Sequence, residues 1–453
     1  MRLFRILLII CLTGFPALLS ASEDLPVSNR TAIIDLLLER AISSHLIAGG
    51  VVAIGNHNGI LFTTAKGRLN DNPGAPLLNE MTVFDLASLT KVIATAPAIM
   101  KLLDEERISL LDPLSRWFPE FKGSEGEEIT VLNLLTHTSG FADIDLLPGQ
   151  AMKEAILKAA AQKNRPRPGS RFHYADINFI LLGELVQRVS GKSLDNYCHD
   201  ELFAPLGANE TRFLPPQSIA DTIAPTLGYP GGIVQDGNAR RLGGVAGHAG
   251  LFSSASDLAL YARMILGNGA IDGSQILSER VVNQMTAPYF SNSGAVVRCL
   301  GWDMDSPFSA PKGSFFSETS FGHTGYSGSS IWIDPKQDLF VILLTNRINY
   351  RNPHVFNQFR RDVSTVASAV FRAPDGDLDA LPTWETAKIT VDRLRSTCES
   401  SQDQPYSIKL ALATYEKHSR THHHAGKMNA KRHRIKMVAR AKEHKRASRA
   451  KRV

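Results

Sequence analysis

The sequence predicts an α/β fold: an antiparallel sheet formed from both ends of one domain, flanked by helices, with a mainly helical lobe inserted between its strands. Three observations predict it. Strand-like runs cluster near residues 51–62 and again near 321–345; the stretch between them reads mainly as helix; and helical segments bracket the whole at 31–46 and 353–371. A cleft between the sheet and the inserted lobe is the natural place for a site.

The elements follow in chain order. Ile33, Leu36, Leu37 and Ile42 fall at helical spacing and run up to Gly49 and Gly50. Val51 to Ile54 and Ile60 to Phe62 flank His57-Asn58-Gly59, a hairpin signal because Asn-Gly tolerates positive φ. A long helix is expected over 88–105. Residues 131–207 read as helices broken by Pro- and Gly-rich turns, and 215–250 as an extended Gly/Pro-rich loop. Helices return at 256–266 and 278–285. Strands are expected at 321–325, 330–333 and 339–345, then a final helix over 353–371. No internal repeat is present.

The chain has 453 residues, 43% hydrophobic and 21% charged, which excludes a wholly disordered chain, a collagen-like repeat and a multi-span membrane protein. Residues 1–21 read as a secretory signal: Arg2 and Arg5 precede an apolar run too short to span a bilayer, and Ser20, Ala21 and Ser22 follow it. The expectation is therefore an exported protein, periplasmic or secreted, with no transmembrane span in the mature chain. Residues 22–373 form the predicted domain, 374–415 a linker with room for one helix, and 416–453 a basic tail. From Lys417 onward there are about 14 Lys/Arg against the single acid Glu443, so the +6 net charge belongs to the tail and the rest carries about −7. So polar a tail is expected to be disordered. It suits an anionic envelope polymer. With no aromatic residues after Lys417, and with export expected, nucleic acid is not an expected partner. Cys198, Cys299 and Cys398 are too irregularly spaced for zinc or a redox pair; one disulfide or buried thiols are both compatible with them.

Three patches carry chemistry. Ser88-Leu89-Thr90-Lys91 precedes an apolar helical run, which places the Lys91 amine one turn from the Ser88 hydroxyl, as an activated nucleophile requires. The same spacing at Ser309 and Lys312 contains Pro311, and at Ser448 and Lys451 it lies in the tail, so neither competes. Tyr174-Ala175-Asp176 follows a Gly/Pro-rich turn just before an apolar helix; a tyrosine there, its pKa lowered by Lys91, would move protons. Gly322-His323-Thr324-Gly325 lies on a strand-like run, where small residues admit substrate and backbone amides can hold an oxyanion.

In this order, with about 85 and then about 150 residues between them, the patches resemble the serine β-lactamase and penicillin-binding-protein superfamily, in its class C β-lactamase-like branch. Leu134 to Gly140 (LLTHTSG) matches the branch, and Leu242 to Ser253 (LGGVAGHAGLFS) is similar to the subgroup holding penicillin-binding protein 4B and cell-wall amidases. The resemblance covers about residues 31–371. It implies that Ser88 is acylated, Lys91 lowers its pKa and Tyr174 shuttles the proton. It further implies an oxyanion hole from the amides of Ser88 and Tyr326, and a pocket lined by Asp176, His323, Thr324 and Gly325. His248 would border the cleft, His137 would tie down its loop, and no metal or cofactor is implied.

Two departures bear on substrate. His323 stands where the β-lactamases carry lysine, and a neutral imidazole anchors a carboxylate less well than an ammonium. Asp176 stands in place of asparagine; ionised, it repels a carboxylate and donates no hydrogen bond to an amide carbonyl. The expected activity is hydrolysis of ester or amide bonds in cell-wall-related substrates, through an acyl-enzyme on Ser88, as a D-Ala carboxypeptidase, amidase or esterase. A β-lactamase and a non-catalytic peptidoglycan receptor are the alternatives.

Overall fold

The computed structural model describes residues 27–291, 296–306 and 308–371. The predicted signal, linker and tail, and with them Cys398, lie outside the described residues. Strands Ile47–Asn56 and Gly59–Gly67 enter the main sheet from the front of the domain, and Phe290–Ser291, Val297–Arg298, Asp303–Asp305, Phe321–Thr324, Ser330–Asp334 and Leu339–Arg347 from the back. All pairs are antiparallel, and Ile47–Asn56 joins the two groups by lying between Gly59–Gly67 and Leu339–Arg347.

Both faces of this sheet are covered, which is why its central strands read as nearly unbroken apolar runs. Side chains alternate between two cores. Val52, Ile54, Trp332, Val341 and Leu343 pack with the helices Val27–Ser43 and Pro353–Phe371. Val51, Ala53, Ile331, Ile333, Ile342 and Leu344 face the other way, into the core shared with the helical lobe. That core takes Leu258, Tyr261 and Ala262 from helix Ala255–Leu266, and Phe179, Leu182 and Leu185 from helix Asp176–Ser190. Among the described residues, no helix is long and apolar enough to cross a membrane.

Two predictions are corrected, and two further readings are made specific. The 88–105 helix is composite: a 3-10 turn at Ala87–Leu89, a π segment at Lys91–Thr95, and α-helix only from Ala96 to Asp104. The 215–250 stretch is not only loop. It supplies Ile223–Ala224 to a small sheet with Arg212–Phe213, Leu251–Ser253 and Val83–Asp85, and holds the short helix Gly237–Arg241. In the hairpin, positive φ falls on Gly59 and not on Asn58. Cys198 and Cys299 are free and buried in apolar surroundings, and burial pushes the Cys299 thiol up to about 12.

Gly325 shows why the third patch needs its glycine. A Cβ there would stand 2.1 Å from Ser329 Oγ and 2.3 Å from the Leu86 carbonyl oxygen. The chain thus passes backbone to backbone against the turn that carries Ser88. Gly325→Ala should push these segments apart, cost about 1–3 kcal/mol in thermal or urea unfolding, and cut turnover more than its stability loss explains.

Candidate active site

Ser88 sits in the 3-10 turn that follows strand Val83–Asp85. Lys91 is fully buried, and its Nζ donates to Ser88 Oγ at 3.1 Å and to the His248 carbonyl at 3.0 Å. It also pairs with Asp176 Oδ1 at 2.7 Å. Asp176 is the first residue of helix Asp176–Ser190, where unpaired backbone N–H groups favour a carboxylate. Tyr174, two residues earlier, lies under Lys91 with the ammonium 5.2 Å from its ring centre. The His137 ring stacks on Tyr174 at 4.5 Å, and His323 lies 6.1 Å from it. His323 comes from strand Phe321–Thr324, in register with Ser330–Asp334.

Ser88, Lys91, Tyr174, Asp176, His248 and His323 therefore meet in one place, with Thr324 and Gly325 continuing the strand beside them. Among the described residues, the backbone N–H groups of Ser88 and Tyr326 donate to no protein acceptor. The Tyr326 side chain turns outward, 63% exposed, and packs on Tyr350 at 4.8 Å between ring centres. Phe308, exposed and 5.3 Å from the Tyr174 ring, forms a second aromatic rim.

The electrostatics differ from expectation at Tyr174. Burial raises its hydroxyl above the ordinary tyrosine value, and the lowering by Lys91 does not overcome that. Burial would depress Lys91, but the Asp176 carboxylate and Tyr174 outweigh it and hold the ammonium above its usual range. Asp176 shows the converse: burial would raise it, and Lys91 and then His248 keep it below the ordinary carboxylate range. The resting arrangement is ammonium, carboxylate and neutral phenol.

His323 and His137 are both held neutral, and for the same reasons. His323 is driven well below its usual value by burial, then by Arg298 and Lys91. Its Nδ1 lies 2.9 Å from the Thr324 carbonyl, which can only accept, so Nδ1 carries the proton and Nε2 is an acceptor. His137 is likewise held neutral by burial and by Arg298; its Nδ1 accepts the Ala175 N–H at 3.3 Å, which ties down the loop.

Asp236 and Arg298 had no motif to mark them. Asp236 caps helix Gly237–Arg241 and bonds His248 Nε2 at 2.8 Å, and that bond holds its carboxyl below the usual range against the opposing effect of burial. Arg298 is buried in a 2.8 Å pair with Asp303. An aspartate before a short Gly-led helix is the one local signal that could have marked Asp236. Asp176, Asp236 and His248 bring ligand-type atoms within 4.8 Å of one another, but Lys91 already occupies Asp176 and Asp236 already holds His248.

A sequence model of the family described as Beta-lactamase matches residues 34–364, most of the chain and all of this site. The chain belongs to the β-lactamase family. Within it, the chain is 28% identical over 357 residues to an Escherichia coli K12 protein provisionally named D-alanyl-D-alanine carboxypeptidase, covering 68% of this chain and 82% of that one. It is 27% identical over 416 residues to the N-acetylmuramyl-L-alanine amidase of Bacillus subtilis 168, covering 79% and 92%. A penicillin-binding-protein homologue from Caulobacter crescentus shares the fold, with a TM-score of 0.63 at 20% identity over 76% of this chain and 98% of that one. The family is one of serine hydrolases, and the β-lactamase-like fold expected from the sequence is the fold observed.

Proposed function

We propose that this β-lactamase-family protein is an exported serine hydrolase that forms an acyl-enzyme on Ser88. Its substrates would be ester or amide bonds of cell-wall-related molecules. The observation that carries the reading is the line Ser88 Oγ, Lys91 Nζ, Asp176 Oδ1, a hydrogen bond at 3.1 Å followed by an ion pair at 2.7 Å. Once Lys91 has lost its proton to solvent, the neutral amine takes the Ser88 proton while Oγ attacks the carbonyl carbon. The amides of Ser88 and Tyr326 receive the oxyanion. Tyr174 then gives its proton to the leaving oxygen or nitrogen and is recharged from Lys91. Water resolves the ester with the roles reversed.

His323 bears on the substrate. An acceptor Nε2 cannot donate to a carboxylate, and Asp176 adds negative charge nearby. This favours amidase or esterase chemistry over removal of a carboxyl-terminal residue. An envelope polymer held by the basic tail fits the same setting. Intact-mass analysis with a fluorophosphonate, a short p-nitrophenyl ester and a penicillin tests the proposal. The expected result is a phosphonate adduct and ester turnover, both lost in Ser88→Ala. Labelling that survives Ser88→Ala, or no reaction with any probe, would refute it.

A further inference from the structure

Asp85 ends strand Val83–Asp85 and is only 2% exposed, yet among the described residues no cation pairs with it. Its two oxygens point to different parts of the site. Oδ1 accepts the Ala87 N–H at 2.8 Å, and Oδ2 accepts the Gln235 N–H at 2.8 Å. Ala87, immediately before Ser88, has φ of +47°, a conformation that costs a residue with a Cβ and persists only when its surroundings enforce it. Gln235 immediately precedes Asp236, which holds His248, whose carbonyl receives Lys91. The main chain here is tied a third way: the Asp85 and Leu86 carbonyls accept the Ser327 and Ser329 hydroxyls at 2.6 and 2.9 Å, from the turn that carries Tyr326.

We infer that Asp85 is a positioning residue whose carboxylate clamps the strained Ala87–Ser88 turn to the Gln235–Asp236 segment, so that the nucleophile and the Lys91 side of the site stand in register. The inference rests on Ser88 being the nucleophile. Only a carboxylate supplies an acceptor to both N–H groups; asparagine would turn its own NH2 toward one of them. Protonating Asp85 has a similar effect. The charged or titratable groups facing it are Asp236, Arg240 and Tyr350. Burial raises its carboxyl to about 6, against the pull of its two N–H bonds. Because the pKa lies above the ordinary carboxylate value, the clamp weakens as pH falls through that range, while the buried charge costs stability above it.

The test uses the full chain, with Ser88 labelling by a fluorophosphonate and ester hydrolysis followed across pH. On top of the climb with pH that Lys91 sets, the wild type should show an added acid limb in kcat/KM centred at about 6. Asp85→Asn should label about tenfold or more slowly, lose kcat more than KM, and lack that limb. Adding Ala87→Gly to it should restore part of the rate, because glycine takes positive φ without a clamp. Asp85→Asn labelling at the wild-type rate, a uniform loss with the limb retained, or a wild-type profile whose slope does not change between about pH 5 and 7.5 would overturn the inference. Should Asp85→Asn not fold, the wild-type profile and the double variant still decide. Normal Ser88 labelling with no sensitivity to Asp85 removes this inference alone; no labelling of the wild type removes the hydrolase reading with it.

Discussion

Lys91→Ala should slow acylation of Ser88 by about 10²–10⁴-fold, the usual contribution of a positioned proton-transfer group. Among the described residues, the amine alone contacts Ser88 Oγ, Asp176 and the His248 carbonyl together. Removing it strips the hydroxyl of its proton acceptor and leaves Asp176 without its cation. The Asp176 carboxyl, no longer held low, should then titrate upward, visible as a shifted limb in the stability–pH profile. Lys91→Arg separates charge from chemistry. A guanidinium keeps the pair with Asp176 but does not give up a proton, so it should restore stability and leave acylation as slow as in the alanine variant. Stopped-flow ester acylation and thermal denaturation read the two effects independently. Recovery of acylation in Lys91→Arg would argue that Lys91 acts only as a fixed charge.

Asp176→Asn should move the pH dependence and the substrate preference together. In the wild type, Asp176 holds Lys91 protonated, so kcat/KM for an ester should still be climbing above about pH 9. Without that carboxylate the burial of Lys91 dominates and lowers its pKa, so the rising limb should move down by about two units or more. The same change removes a negative charge from the pocket wall. Acylation by a penicillin, which carries a carboxylate, should rise about tenfold, equivalent to about 1.4 kcal/mol of repulsion relieved. Stability should respond with the opposite sign. A carboxyl held below its unfolded value contributes stability above the ordinary range near 3.8 that is lost as pH falls through its folded value. Asp176→Asn should therefore lose part of the wild type's margin at neutral pH and depend less on pH in acid. An unchanged ester profile would break the link between Asp176 and Lys91.

The parts of this molecule legible in its sequence are those with a repeated local signal. The central strands announce themselves by apolar runs buried on both faces, and the bracketing helices by spacing. Ser88 and Lys91 are one turn apart, so their meeting follows from local geometry even though the turn is 3-10 and the next segment π. The edge strands at Phe290–Ser291, Val297–Arg298 and Asp303–Asp305 are two or three residues long, too short for any period to show. Asp85, Asp236 and Arg298 are ordinary in isolation and acquire roles only where Gln235, His248 and His323 fold against them. The expected lowering of the Tyr174 pKa failed for a related reason. Attraction from Lys91 can be guessed from a motif, whereas the opposing effect of burial depends on what covers the ring, here His137 and Phe308.

The pairing of Ile47 with Arg347 has a consequence for how the chain reaches this state. During synthesis the first hairpin emerges early with one strand edge open, and the strand that closes it appears roughly three hundred residues later. Loop-closure entropy must be met before that distant pairing returns any stability, so folding should be slow and should wait for nearly the whole domain. A chain in that condition remains threadable for as long as its final strand and helix are withheld, which is the state a translocation channel requires. The topology that builds the sheet thus also sets a time window in which the polypeptide can be moved before it is locked.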